Sequence, residues 1–114
     1  MKWLLSLVYG LYRLWYRIRY RELSVSVVDD IPDQTTPGYL YMVREDDDYW
    51  AASMRCPCGC GDTITLNLIG SHPVWRAKKG LSGKVSLHPS VHRQMGCRSH
   101  YWVRDGVVIW ANVQ

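Results

Sequence analysis

Phenylalanine is absent from the chain, and six Trp and eight Tyr carry the whole aromatic load, a choice that nothing in the sequence explains. Long apolar runs are absent too. The longest nearly uncharged stretch, residues 3–12, is too short to span a bilayer, which takes roughly 20 apolar residues. No small-residue cleavage site follows it, which argues against a secretory signal peptide. Excess positive charge is missing from most of the chain. Lys2, Arg13, Arg17, Arg19 and Arg21 stand against Glu22, so residues 1–22 account for the whole formal net charge of +4 and the remainder sums to zero. The body of the protein is therefore not a basic nucleic-acid binder on charge grounds. Internal repeats are lacking as well. At 114 residues the chain has room for one domain with a modest core, near the size at which a metal staple helps.

Cysteine is sparse but unevenly placed. Three of the four cysteines, Cys56, Cys58 and Cys60, occupy alternate positions in RCPCGCGD, and the fourth is Cys97 in GCRSHYW. Neighbours two apart do not pair readily with one another, so a framework of two disulfides is excluded. Reduced thiols sharing a metal are the better reading, and they point to the cytoplasmic side of a membrane.

Hydrophobic periodicity divides what is present. Leu4, Leu7, Val8, Leu11, Leu14, Trp15 and Ile18 recur at three- and four-residue steps, the pattern of an amphipathic helix. Arg13, Arg17 and Arg21 line a second face near Tyr9, Tyr16 and Tyr20. Such a basic, aromatic-rich helix can lie in a membrane interface; the commoner use of such a stripe is packing on the domain or on a partner chain. After Arg21 the period changes to two. LSVSVV and YLYMV read as strands around a turn-rich link, and the acidic residues 45–48 read as a solvated hairpin tip. YWAASM leads as a strand into the cysteines and TITLNLI leads away from them. VWRAKKGLSGKVSL reads as a hairpin, and HYWVRDGVVIWA as another with Asp105-Gly106 as its turn. The expected architecture is mainly β, a small zinc-stapled antiparallel domain over residues 23–114, preceded by one amphipathic helix in residues 1–22.

Five side chains are candidates for one metal site: Cys56, Cys58, Cys60, Cys97 and His100. Soft thiolates bind zinc well, and four tetrahedral ligands close a structural site. Cys97 and His100 form a C-x-x-H pair, and Gly59 and Gly61 give the thiol loop its backbone freedom. Four positions for five candidates leave one spare. A closed site would be structural, whereas one with a water in the fourth position could be catalytic.

Two serines lie near histidines. Ser99 and His100 are adjacent, so on a strand they point to opposite faces and do not pair with each other. Ser90 in HPSVHR has His88 and His92 two residues to either side; it is a nucleophile candidate if a histidine reaches it, or a turn residue that caps backbone amides. His72 before Pro73 reads as a surface loop residue. Trp75, Trp102 and Trp110 read as core.

With these motifs in place, the chain resembles a bacterial family of small proteins described as a domain of unknown function. Its members occur beside ubiquitin-like modifiers and their activating (E1-type) and conjugating (E2-type) enzymes in operons linked to phage defence. The residues that carry the resemblance are IPDQTTPGYLY, CPCGCG at 56–61, Trp75, VSLHPSV at 85–91 and CRSHYWVRDGVVIWA at 97–111. The family's serine turn runs close to P-S-I-G-N; here Pro89, Ser90 and Val91 agree, while His92 and Arg93 replace small residues. The helix at residues 1–22 lies outside the resemblance and reads as an extension. The resemblance implies a zinc-binding accessory protein of a modification pathway that contacts the modifier or its conjugation enzymes. Alternatively it implies a serine-type peptidase that processes or deconjugates the modifier, with Ser90 and Ser99 as nucleophile candidates.

Overall fold

The computed structural model describes residues 2–70, 73–94 and 96–111; His72, read above as a loop residue, lies outside them. One helix, α1 (Lys2–Arg19), precedes eight strands: β1 (Ser24–Val28), β2 (Tyr39–Glu45), β3 (Asp48–Arg55), β4 (Thr63–Asn67), β5 (Arg76–Lys79), β6 (Val85–His92), β7 (His100–Arg104) and β8 (Val107–Trp110). The strands form two sheets in chain order, β1-β2-β3-β4 and β5-β6-β7-β8. Alternation along β4, β6, β7 and β8 sends one set of side chains inward, whereas β3 is buried on both faces at residues 51–54 and β5 is exposed throughout. Leu40, Met42, Ala52, Met54 and Leu66 of the first sheet meet Leu87, Val91, Tyr101, Val103 and Val108 of the second in a single core. The tight hairpins follow from turn chemistry. Asp105 (φ 48°) and Gly106 (φ 75°) both adopt the left-handed conformation that a two-residue turn of matching twist requires.

One pairing departs from the antiparallel expectation. β1 runs parallel to β2, with Ser24 opposite Tyr39 and Val28 opposite Val43. The proline-bearing link of residues 29–38 carries the chain back along the sheet before β2 begins. Just upstream, the segment before β1 ties the two sheets together: the Leu23 amide donates to the Gly106 carbonyl at 2.7 Å and the Val108 amide to the Arg21 carbonyl at 2.7 Å.

β6 carries an irregularity that matters for the site. Leu87 pairs with Val103 and Val91 with Tyr101, so four residue steps on β6 oppose two on β7. Two residues are thus extra on β6, and the segment His88-Pro89-Ser90 stands off the β7 ladder. Because the insertion is even, Leu87 and Val91 still face the core.

α1 docks by the face that its apolar stripe does not occupy. Tyr16 is buried, the Arg13 Nε donates to the Cys58 carbonyl at 3.1 Å, and the Arg17 guanidinium sits 4.2 Å from the centre of the Trp110 ring. Leu7, Leu11, Leu14, Trp15 and Ile18 are all more than half exposed. The stripe therefore does not pack on the domain. The reason is the partner surface: the helix meets the Cys58 carbonyl, the bare backbone of Gly59 and the face of the Trp110 ring, which arginine and tyrosine satisfy and leucine does not. Trp75 and Trp110 pack at the edge of the core rather than inside it, and Trp102 is half-buried outside it, a correction to the reading of all three as core residues.

The helix contact converges on Gly59. Its φ is +90°, and a Cβ placed there would lie 3.1 Å from Cγ of Tyr16. Gly59→Ala is expected to lower stability by about 1–3 kcal/mol through backbone strain and the clash. In urea unfolding, the double variant with Tyr16→Ala should lose less than the sum of the two single changes, because the clash is then absent.

Candidate metal centre and serine site

The loop between β3 and β4 carries Cys56, Cys58 and Cys60, and the loop between β6 and β7 carries Cys97. All four sulfurs lie within 4.8 Å of one another. Sγ of Cys56 is 3.4 Å from that of Cys58 and 3.7 Å from that of Cys97. Four sulfurs arranged tetrahedrally at ~2.3 Å around one ion would be about 3.8 Å apart, so both the donor set and the spacing fit a metal ion. Local structure explains the convergence. The Cys56 amide donates to the Asp62 carbonyl at 2.8 Å and the Gly59 amide to the Cys56 carbonyl at 3.3 Å, folding the loop so that alternate thiols turn to one side.

Electrostatics make the same point. The hydrogen bond from Cys56 to Cys58, together with burial, pushes the Cys56 thiol up, while that same bond holds Cys58 well below the usual thiol range. Burial raises Cys60. Burial also works against ionisation of Cys97, yet hydrogen bonds from the Ser99 side chain and backbone leave it lowered. Packed thiols cannot all ionise together without a cation among them. Positive groups stand close by. The Arg93 guanidinium donates to Cys97 Sγ at 3.2 Å, to Cys60 Sγ at 3.7 Å and to Asp62 Oδ2 at 3.1 Å.

The two serines fall in different places. Ser99 is buried, with its Oγ 3.0 Å from Cys97 Sγ and 3.8 Å from Cys56 Sγ; its hydroxyl serves the thiols. His100 points the other way, as alternation requires. It is not among the clustered ligand atoms. Its Nε2 is instead 2.9 Å from Oγ of Ser90. The outstanding segment of β6 brings Ser90 to it, and the Trp75 Nε1 fixes that segment by donating to the Ser90 carbonyl at 3.2 Å. Such irregularities re-aim a side chain that a regular strand would point elsewhere.

The His100 ring is flanked by two others. His92, its register partner across β6 and β7, stacks on it at 4.3 Å with planes 11° apart, and Trp102 lies 5.3 Å away. The histidines nearest Ser90 in the sequence are His88 and His92, and His100 stands in it as a metal candidate beside Cys97; in the structure Ser90 meets His100 instead. A signal was present: if Cys97 and Ser99 face the thiols, strand alternation puts His100 on the opposite side.

Residues 27–111 match the model of a family described as "Bacterial ubiquitination-like system serine protease (BubE)". No curated protein and no solved structure matches the chain. The match covers all eight strands except the first three residues of β1, and it includes the four cysteines, Ser90 and His100. The chain belongs to the BubE family of a bacterial ubiquitination-like system.

Proposed function

We propose that this protein is a serine peptidase that cleaves at the C-terminus of a ubiquitin-like modifier, to process it or release it from its conjugates. The observation that carries this reading is the 2.9 Å contact between Ser90 Oγ and His100 Nε2, within the range of a nucleophile and its base. Ser90 and His100 are half-buried and His92 is exposed, so the pair is open to a substrate chain. The name of the family, which includes a serine protease, supports the same reading.

The chemistry follows from the pair. With Nδ1 protonated, Nε2 of His100 accepts the Ser90 proton as Oγ attacks the scissile carbonyl carbon. The imidazolium then gives that proton to the leaving amine, and the C–N bond breaks to leave an acyl ester on Ser90. Water, deprotonated by His100, attacks the ester; the C–O bond to Ser90 breaks, the imidazolium returns the proton to Oγ, and the modifier leaves with a free carboxylate. Among the described residues no carboxylate hydrogen-bonds to His100; stacking on His92 orients the ring in its place. Ser99 is not part of this step, because its hydroxyl is buried against the thiols.

The four cysteines are proposed to hold zinc. A set of four sulfurs and no open position gives a structural site, which supplies no chemistry to the bond cleavage. Its part is to lock the two thiol loops together, and Cys97 leads within three residues to His100.

Incubation of the full chain with the modifier extended at its C-terminus should yield the trimmed modifier, read by intact mass. Ser90→Ala and His100→Ala should each slow cleavage by about a thousandfold or more, with Ser99→Ala leaving a folded pair in place. Cleavage that survives Ser90→Ala at the full rate would sink the proposal. Absence of any cleavage alongside stable binding of the modifier would establish the non-catalytic accessory reading instead.

Elemental analysis should find about one zinc per chain. Cys56→Ser is expected to remove it and lower the melting temperature, and a chelator or acidic pH should do the same to the unsubstituted protein, because protons compete with the metal for thiolates. Protein that is purified without chelators and carries no metal at a normal melting temperature would refute the assignment.

A further inference from the structure

The exposed side of α1 is unusual in extent. At about 100° per residue, Leu4, Leu7, Leu11, Leu14, Trp15 and Ile18 centre roughly 180° from the docked residues Arg13, Tyr16 and Arg17. Over the first half of the helix the apolar surface is wider still. Trp3 (72% exposed), Leu5 (70%), Val8 (56%), Tyr9 (53%) and Tyr12 (47%) extend it over about two-thirds of the circumference, leaving a narrow strip of Lys2, Ser6 and Gly10. No residue from 2 to 12 is buried. Contiguous apolar surface on this scale marks an interaction site.

We propose that α1 lies in the interface of an anionic phospholipid bilayer and holds the domain at the membrane surface. Three observations choose lipid as the occupant. The apolar arc is too wide for one protein groove or one partner helix, each of which covers a single stripe, whereas acyl chains cover the whole arc. The charge is complementary: Lys2, Arg19 and Arg21 are exposed, residues 2–21 contain no Asp or Glu, and residues 23–114 sum to zero. Anionic headgroups therefore meet the one basic part of the chain. The geometry is compatible as well. The domain occupies the polar face of α1, so a helix lying with its apolar face among the lipids leaves the domain on the water side. Trp3, Tyr9, Tyr12 and Trp15 supply rings suited to the headgroup boundary. No helix of the described residues is long and apolar enough to cross a membrane, so contact is with the surface.

The consequence is that the Ser90 site would act on modifier or conjugates at a membrane, but the docking stands whether or not Ser90 is catalytic. The test is flotation of the full chain with vesicles of phosphatidylcholine alone or mixed with phosphatidylglycerol. About tenfold more protein should float with the anionic vesicles, and added salt should release it. Leu7→Glu combined with Leu11→Glu changes two residues that do not touch the domain; it should abolish flotation while the circular dichroism and melting temperature stay unchanged. Failure of the unsubstituted chain to float with anionic vesicles overturns the proposal, as does equal flotation of the double variant. Sedimentation velocity covers the alternative occupant: a dimer that the double variant dissociates, with no flotation by either, assigns the face to a second copy and overturns the proposal.

Discussion

Everything distinctive about this fold depends on the meeting of two loops at four sulfurs. Cys56, Cys58 and Cys60 follow a strand of the first sheet and Cys97 precedes one of the second, so the cluster joins the sheets, and the segment around Leu23 joins them again at the β7–β8 turn. The core between is small and built mostly of Leu and Val, and a core of this size would gain from a metal bridge between the two thiol loops. The same loop also receives the helix, through the Cys58 carbonyl and the bare backbone of Gly59. Helix, sheets and thiols therefore share one anchoring point.

From that point the serine site is reached by counting. Cys97 and Ser99 face the sulfurs, and the next residue, His100, must face away. On the neighbouring strand the extra residues lift Ser90 to meet it, with Trp75 bracing the backbone beneath. The four clustered cysteines and the Ser90–His100 pair thus occupy opposite faces of the same short stretch of chain.

Much of the fold was legible because local signals and global structure agree. The alternating runs became strands, Asp105-Gly106 became a turn, and the acidic tip lies between β2 and β3. The parallel β1–β2 pair was not legible, since pattern gives a strand its faces but not its neighbour. The helix misled for a different reason. Its stripe was plain, but which side the domain takes depends on what the domain offers, and here it offers a carbonyl, a bare glycine and one ring face. Among the site residues, the convergence of the four cysteines could be inferred from composition and spacing. That His100 turns away from the thiols follows from alternation, but its pairing with Ser90 could not be read, because the insertion that turns Ser90 toward β7 leaves no mark in hydrophobic pattern.

That insertion sets a rule for how this protein can vary. A strand has only two faces, so adding or removing a single residue between Leu87 and Val91 would turn one flanking side chain out of the core, whereas a pair of residues would pass unnoticed by the packing. The segment that presents Ser90 can therefore lengthen or shorten in even steps while the scaffold stays as it is. Odd steps must be compensated in the sheet. A bulge supplies that compensation where β3 carries one extra residue opposite Val43 and Arg44, and in β6 the reach of the serine is the quantity left free to change.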